Sequence, residues 1–255
     1  MKVRHSVDDA IVRVSNLTCA YGDAVIVDDI SFDVARGEIF VILGGSGCGK
    51  STVLKHLIGL YAPYHGQILI DGQDIGRASG AMLLEIQKRF GVMYQMGALF
   101  GSMSLIENVR LPLQEHTQLP PEAMDLIARM KLEQVGLAAY AHHLPSQISG
   151  GMQKRAAIAR AMALDPGILF LDEPSAGLDP ITSAGVDALI KQLSESLGVT
   201  FVIVTHELAS IFAIAQRVIM LDKESKKIVA QGNPHDLRND STHPVVSAFF
   251  NRRAD

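Results

Sequence analysis

The nine residues Gly44-Gly45-Ser46-Gly47-Cys48-Gly49-Lys50-Ser51-Thr52 constrain this chain more than any other stretch. Before them runs Ile39-Phe40-Val41-Ile42-Leu43, short, apolar and bounded by glycine, which is the pattern of a buried strand. Behind them Val53, Leu54, Leu57 and Ile58 fall at i, i+1, i+4 and i+5, along one side of a helix. Strand, glycine-rich loop and a helix opening on Lys-Ser is the setting in which G-x-x-x-x-G-K-[ST] holds phosphate. The glycines let the backbone curl so that successive N–H groups converge on phosphate oxygens. The helix N-terminus adds its partial positive charge. In such a loop Lys50 reaches the β- and γ-phosphates and Ser51 offers its hydroxyl to Mg²⁺. A glycine-rich turn without a ligand is the alternative, and the flanking pattern argues against it.

Size and charge narrow the partners. A chain of 255 residues holds one large α/β domain or two small ones and buries a sizeable core. A formal charge of −4 gives no sign of a nucleic-acid-binding surface. Cys19 and Cys48 make no disulfide framework, as expected in a reducing compartment. Hydrophobic content is 48%, yet no run of about twenty apolar residues is present to span a bilayer. Met1 to His5 runs into Asp8-Asp9 with no apolar signal core between them. The expectation is a soluble cytoplasmic chain, held at a membrane only by a partner.

Ile11 to Leu17 alternates apolar and polar residues, and Val25 to Phe32 does so less cleanly; both read as strands of a partly solvated β layer. Between them Tyr21 either stacks on a purine or caps the sheet. Gly66 to Gly72 reads as a short strand and turn, and Phe90 to Tyr94 as a strand ending at Gln95. From there to Ser149 strand patterns stop, and Pro112, Pro120, Pro121 and Pro145 punctuate helical segments. Ala123, Leu126, Ile127 and Met130 keep an i, i+3, i+4, i+7 stripe after a Pro120-Pro121 helix start. This is the texture of a helical insertion in an α/β core.

Two further blocks carry chemistry. Ser149-Gly150-Gly151 places an N-cap and exposed backbone donors before an alanine-rich helix through Ala163: a second anion-receptive helix end, or merely a capped helix. Ile168 to Leu171 is a buried strand ending in Asp172-Glu173. Adjacent acids there are costly unless a cation or a proton-transfer task awaits them. Beside a phosphate loop Asp172 suits Mg²⁺ and Glu173 suits a general base. Asp179-Pro180 forms an N-cap and N1 pair, with Val186, Leu189, Ile190 and Leu193 facing a sheet. Val199 to Val204 is a core strand leading to Thr205-His206-Glu207, and a histidine there faces the ligand crevice. Val218 to Leu221 and Ile228 to Gln231 form a closing hairpin, and a polar tail follows Phe249.

In this order, the loop at Gly44, Gln95, Ser149-Gly150-Gly151, Asp172-Glu173, Asp179 and His206 resemble the ATP-binding cassette (ABC) family over nearly the whole chain. The resemblance implies a P-loop NTPase: an α/β ABC-type ATPase core (1–94 and 160–240) with an antiparallel β layer, an inserted helical subdomain (95–159) and a short tail (241–255). It also implies a head-to-tail dimer sandwiching two ATP molecules, with Ser149 to Gly151 gripping the γ-phosphate in trans. Tyr21 would stack on adenine, and Gln95 would touch Mg²⁺ and the lytic water and signal to a membrane subunit. His206 would contact the γ-phosphate, and Asp179 would pair across the dimer.

Met152, where the family usually carries Gln, is one departure. Together with Gln95 to Phe100 and Glu115 to Pro120 it is similar to the Mce-associated, Mla-type lipid transport ATPases. Those work at the inner membrane with a polytopic permease, a membrane-anchored Mce-domain protein and sometimes a small cytoplasmic subunit. A small-solute importer ATPase is the competing reading, and a non-transport ABC ATPase a more distant one. Two local expectations follow: that Cys48, near a helix N-terminus, is either a reactive thiol or a small loop residue, and that Ala98-Leu99-Phe100 is either a docking patch or core.

Overall fold

The computed structural model describes residues 10–240 and 242–251. The signal-segment reading of Met1 to Asp9 and the last four tail residues lie outside them. Two sheets organise the chain. In the first, β1 (Ala10–Tyr21), β2 (Ala24–Ala35), β4 (His65–Ile70) and β5 (Gln73–Asp74) pair antiparallel in the order β2-β1-β4-β5. In the second, β3 (Ile39–Gly44), β6 (Phe90–Met93), β7 (Ile168–Asp172), β8 (Thr200–Val204) and β9 (Arg217–Leu221) run parallel. With β10 (Ile228–Gly232) antiparallel at its edge, the order is β10-β9-β3-β8-β7-β6.

The near-continuous apolar runs of β3, β7 and β8 make sense because this sheet is covered on both faces. Ile39, Val41 and Leu43 join one core, with Leu169, Leu171, Phe201 and Ile203. Phe40 and Ile42 join the other, with Ile168, Phe170, Val202 and Val204, against the antiparallel layer and α1 (Lys50–Leu57). The period of two in a strand sorts neighbours into opposite cores.

The helices are α2 (Gly80–Gln87), α3 (Leu105–His116), α4 (Pro121–Gln134), α5 (Gly150–Ala161), α6 (Pro180–Leu197), α7 (Leu208–Ile214), α8 (Pro234–Asp240) and α9 (Pro244–Asn251). A capping box opens α3: Ser104 N–H donates to Glu107 Oε2 at 2.7 Å, and Glu107 N–H to Ser104 Oγ. Pro112, read as punctuation, lies inside α3. The expected α4 stripe is displaced by one residue. Met124, Ala128 and Leu132 are buried, whereas Leu126 and Met130 are exposed. The apolar side chains on α4 outnumber what one face can bury, so periodicity alone selected the wrong row. The tail also differs from expectation: 244–251 is helical, and Val246 and Phe250 are buried in the first core against Phe212.

Candidate functional site

Parallel register brings the predicted chemistry to one edge. Ile42 lies level with Val204, and Asp172 with Val204, so Gly44, Asp172 and His206 all leave the carboxyl ends of β3, β7 and β8. Gln95 follows β6 at the same edge, since Met93 pairs with Leu171. Ligand sites in α/β sheets form at this edge because loops diverge there and helix N-termini point inward.

The phosphate loop, Gly44 to Thr52, has the expected strand–loop–helix form. Gly49 caps α1 with φ 102°, and a Cβ there would lie 2.5 Å from Val27 Cγ2, so only glycine fits. Ile26, Gly47, Gly49, Lys50, Ser51 and Thr52 line a concavity of about 310 Å³. Across it Lys50 Nζ donates to the carbonyls of Gly44 and Gly45, at 2.9 and 3.0 Å. Its ammonium is thus poised over the loop. Gly45 and Ser46 are exposed, leaving their backbone accessible.

Cys48 is 2% exposed and packs in the second core. Burial pushes its thiol up, against the pull of the Lys50 ammonium. The reactive-thiol alternative therefore falls: desolvation outweighs the helix end. Maleimide should label the native chain at least about tenfold more slowly than the denaturant-unfolded chain. Rapid labelling of Cys48 in the folded protein, located by peptide mapping, would contradict this.

Glu173 and His206 converge more closely than sequence spacing implied. Glu173 is buried, and its Oε1 lies 2.5 Å from His206 Nδ1. Thr205, a residue the sequence reading passed over, donates its hydroxyl to Glu173 Oε2 at 2.9 Å. Glu173 itself sits at φ 48°, in the left-handed region, and its N–H donates to Val204 O at 2.8 Å. Beside it, Asp172 Oδ1 is buried without a hydrogen-bond partner. Burial, then the Glu173 charge, hold the Asp172 carboxyl above its ordinary value. An unpartnered buried carboxylate oxygen next to a Lys-Ser loop fits a divalent cation.

Gln95 is exposed, and the segment after it is braced from below. Arg160 donates to the carbonyls of Gly97 and Ala98, at 2.9 and 2.7 Å. Buried Asn108 accepts from Phe100 N–H and donates to the Phe100 carbonyl, at 2.8 and 3.1 Å. This rigid loop presents Met96, 86% exposed, and Phe100, 51% exposed, while Leu99 packs inward. Phe100 is therefore not core.

Ser149 caps α5, accepting from Met152 N–H at 3.3 Å. Gly151 is required by close approach, since a Cβ would lie 2.2 Å from Thr182 Cγ2. Gly150 is exposed, and half-buried Met152 packs on the first core. Asp179 spends its carboxylate on α6, accepting from the Thr182 hydroxyl and from Thr182 and Ile181 N–H at 3.0 Å each; the hydroxyl bond first, then the N–H bonds, hold its carboxyl low. Tyr21 ends β1, 41% exposed, edge-on to Tyr61 with ring centroids 5.4 Å apart. Tyr61 was not singled out in the sequence; its only signal is an aromatic shortly after α1.

This fold and site define a P-loop ATPase of the ATP-binding cassette class. The profile described as ABC transporter matches residues 27–176, and the chain belongs to that family, binding and hydrolysing ATP. It is 44% identical over 236 residues to the intermembrane phospholipid transport system ATP-binding protein MlaF of Haemophilus influenzae, covering 92% of this chain and 89% of that one. It is 43% identical over 242 residues to the probable ribonucleotide transport ATP-binding protein mkl of Mycobacterium leprae, covering 95% and 69%. Among solved structures, the cassette MJ0796, dimeric in a post-hydrolysis state with ADP and Pi, superposes with a TM-score of 0.78 at 31% identity, covering 87% of this chain and 98% of that one.

Proposed function

We propose that this chain is the ATPase subunit of a bacterial lipid transporter. It works as a head-to-tail homodimer on the cytoplasmic face of the inner membrane, held by a polytopic permease. A Mce-domain protein and a small cytoplasmic subunit complete the assembly. The observation that carries this reading is the similarity to a phospholipid transport ATPase along 92% of the chain. Among the described residues no helix is long and apolar enough to cross a membrane, and in this reading the permease holds the chain at the bilayer. In this reading 95–159 is the helical subdomain between core segments 1–94 and 160–240.

Within the dimer, Gly44 to Thr52 wraps the phosphates, Tyr21 stacks on adenine, and the partner's Ser149, Gly150 and Gly151 close on the γ-phosphate. Asp179, while capping α6, comes to the dimer seam. Lys50 exchanges its two carbonyls for phosphate oxygens. Ser51, Asp172 and Gln95 would hold Mg²⁺, which supplies charge neutralisation to the phosphates. Glu173 takes the proton of the attacking water, steadied by Thr205 and His206.

The test is purification of the chain with its own membrane subunits into nanodiscs, followed by ATP-driven transfer of fluorescent phospholipid or labelled ribonucleotide. Phospholipid transfer supports the reading. Ribonucleotide transfer would favour the small-solute reading, which the mkl similarity keeps open. In the same preparation, Phe100→Asp should keep wild-type ATP affinity yet weaken assembly by roughly thirtyfold or more, the cost of an aromatic hot spot. An F100D chain that assembles normally would move the docking surface elsewhere.

A further inference from the structure

Lys154 lies just over one turn into α5, and the mechanism above gives it no task. It is 8% exposed. A buried lysine ordinarily seeks a carboxylate, because its charge is costly to desolvate. Here Nζ instead donates to two main-chain carbonyls on two different loops. One is the carbonyl of Gln95, in a short contact; the other is the carbonyl of Glu173, at 3.3 Å. Those two loops carry the groups assigned to cation holding and proton transfer.

Glu173 explains why such a donor is needed. Its left-handed φ of 48° is sterically unfavourable for a residue with a Cβ. Its N–H is held by Val204, its carboxylate by Thr205 and His206, and its carbonyl by Ala176 N–H at 3.2 Å together with Lys154 Nζ at 3.3 Å. A change of Glu173 away from that φ would swing the carboxylate off its two partners and re-aim the carbonyl away from Lys154. Lys154 also stands on the helix whose N-cap is Ser149, and six residues on, Arg160 holds the carbonyls of Gly97 and Ala98. The rod that grips one nucleotide in trans thus clamps the Gln95 loop of its own subunit.

We propose that Lys154 is a positioning residue for hydrolysis: by joining the Gln95 and Glu173 carbonyls it locks the general base in its left-handed conformation and ties it to the Gln95 loop. This rests on the reading of Glu173 as base. Burial lowers the Lys154 ammonium, while the Glu173 and Asp172 charges pull it back up, in keeping with a cation retained among acids.

The test uses the full chain in its transporter complex, with Mg-ATP as probe, measuring nucleotide affinity and turnover separately. K154M should lower turnover roughly 30-fold with ATP affinity within about threefold of wild type, as for loss of orientation rather than of binding. K154Q, one bond shorter and able to reach a single carbonyl, should lose roughly fivefold. K154R, again a donor to both, should return to within about threefold. Wild-type turnover in K154M or K154Q would overturn the proposal. So would affinity falling in step with turnover, or a K154R rate no better than that of K154M. Should K154M not fold, K154Q against K154R decides. E173Q is run alongside. If E173Q is inactive and K154M active, only the Lys154 inference falls; if E173Q still turns over, the assignment of the base falls first.

Discussion

Glu173→Gln is expected to bind ATP as tightly as wild type and to hydrolyse it roughly 10²–10⁴ times more slowly. The substitution keeps the shape of the side chain and the hydroxyl contact from Thr205, which is 2.9 Å away. It removes the negative charge and with it the capacity to accept a proton. Lys50, Ser51 and Asp172 are untouched, so the nucleotide site stays intact. Binding without turnover should accumulate the closed ATP-bound dimer, because hydrolysis is what reopens it. Nucleotide affinity by equilibrium titration, turnover by phosphate release and dimerisation by light scattering read the three consequences separately. Near-wild-type turnover in the assembled transporter would shift the base to another group. His206, 2.5 Å from the Glu173 carboxylate, is then first in line.

Lys50→Ala should do the reverse. Losing a charge-assisted contact to phosphate costs about 1.5–3 kcal/mol, or roughly 10- to 150-fold in ATP affinity. No closed dimer should then form. A second consequence concerns pH. Asp172 is held above its ordinary value by burial and Glu173, and Lys50 is the largest influence pulling it back down. The proton must leave Asp172 before that carboxylate can hold a cation. Mg-dependent ATP binding should therefore weaken as pH falls toward the raised value, and K50A should move that loss to higher pH. Nucleotide affinity against pH, in wild type and K50A, checks both parts. Unchanged affinity in K50A would mean that the backbone donors of the loop suffice alone.

Much of the site was legible because its elements are local. A strand, a glycine-rich loop and a helix within twenty residues report themselves through periodicity and through glycines whose Cβ has no room, as at Gly49. Buried parallel strands likewise read as unbroken apolar runs, as in β3, β7 and β8. What failed was the choice among equivalent rows. Helix α4 carries apolar side chains on several faces, and only the packing partner decides that Met124, Ala128 and Leu132 are buried while Leu126 is not. The two readings of Cys48 stayed open in the sequence for a related reason. A helix end is visible in the sequence, but the burial that outweighs it is not.

The sequence by itself determined the identity of the chemical groups, their order and the local turns that display them: Lys50 on a phosphate loop, Asp172-Glu173 at a strand end, Ser149 at a helix start. These depend on neighbours a few residues away, whose steric and hydrogen-bonding preferences act over one turn or one strand. Only the tertiary structure decided which of these groups touch. Glu173 meets Thr205 and His206 across more than thirty positions because β7 and β8 pair in register and end level. Lys154 reaches the Gln95 and Glu173 carbonyls because α5 packs beneath both loops. Contacts of that kind are set by strand register and layer packing, which no local preference encodes, and they bury Lys154 between the loops that carry Gln95 and Glu173.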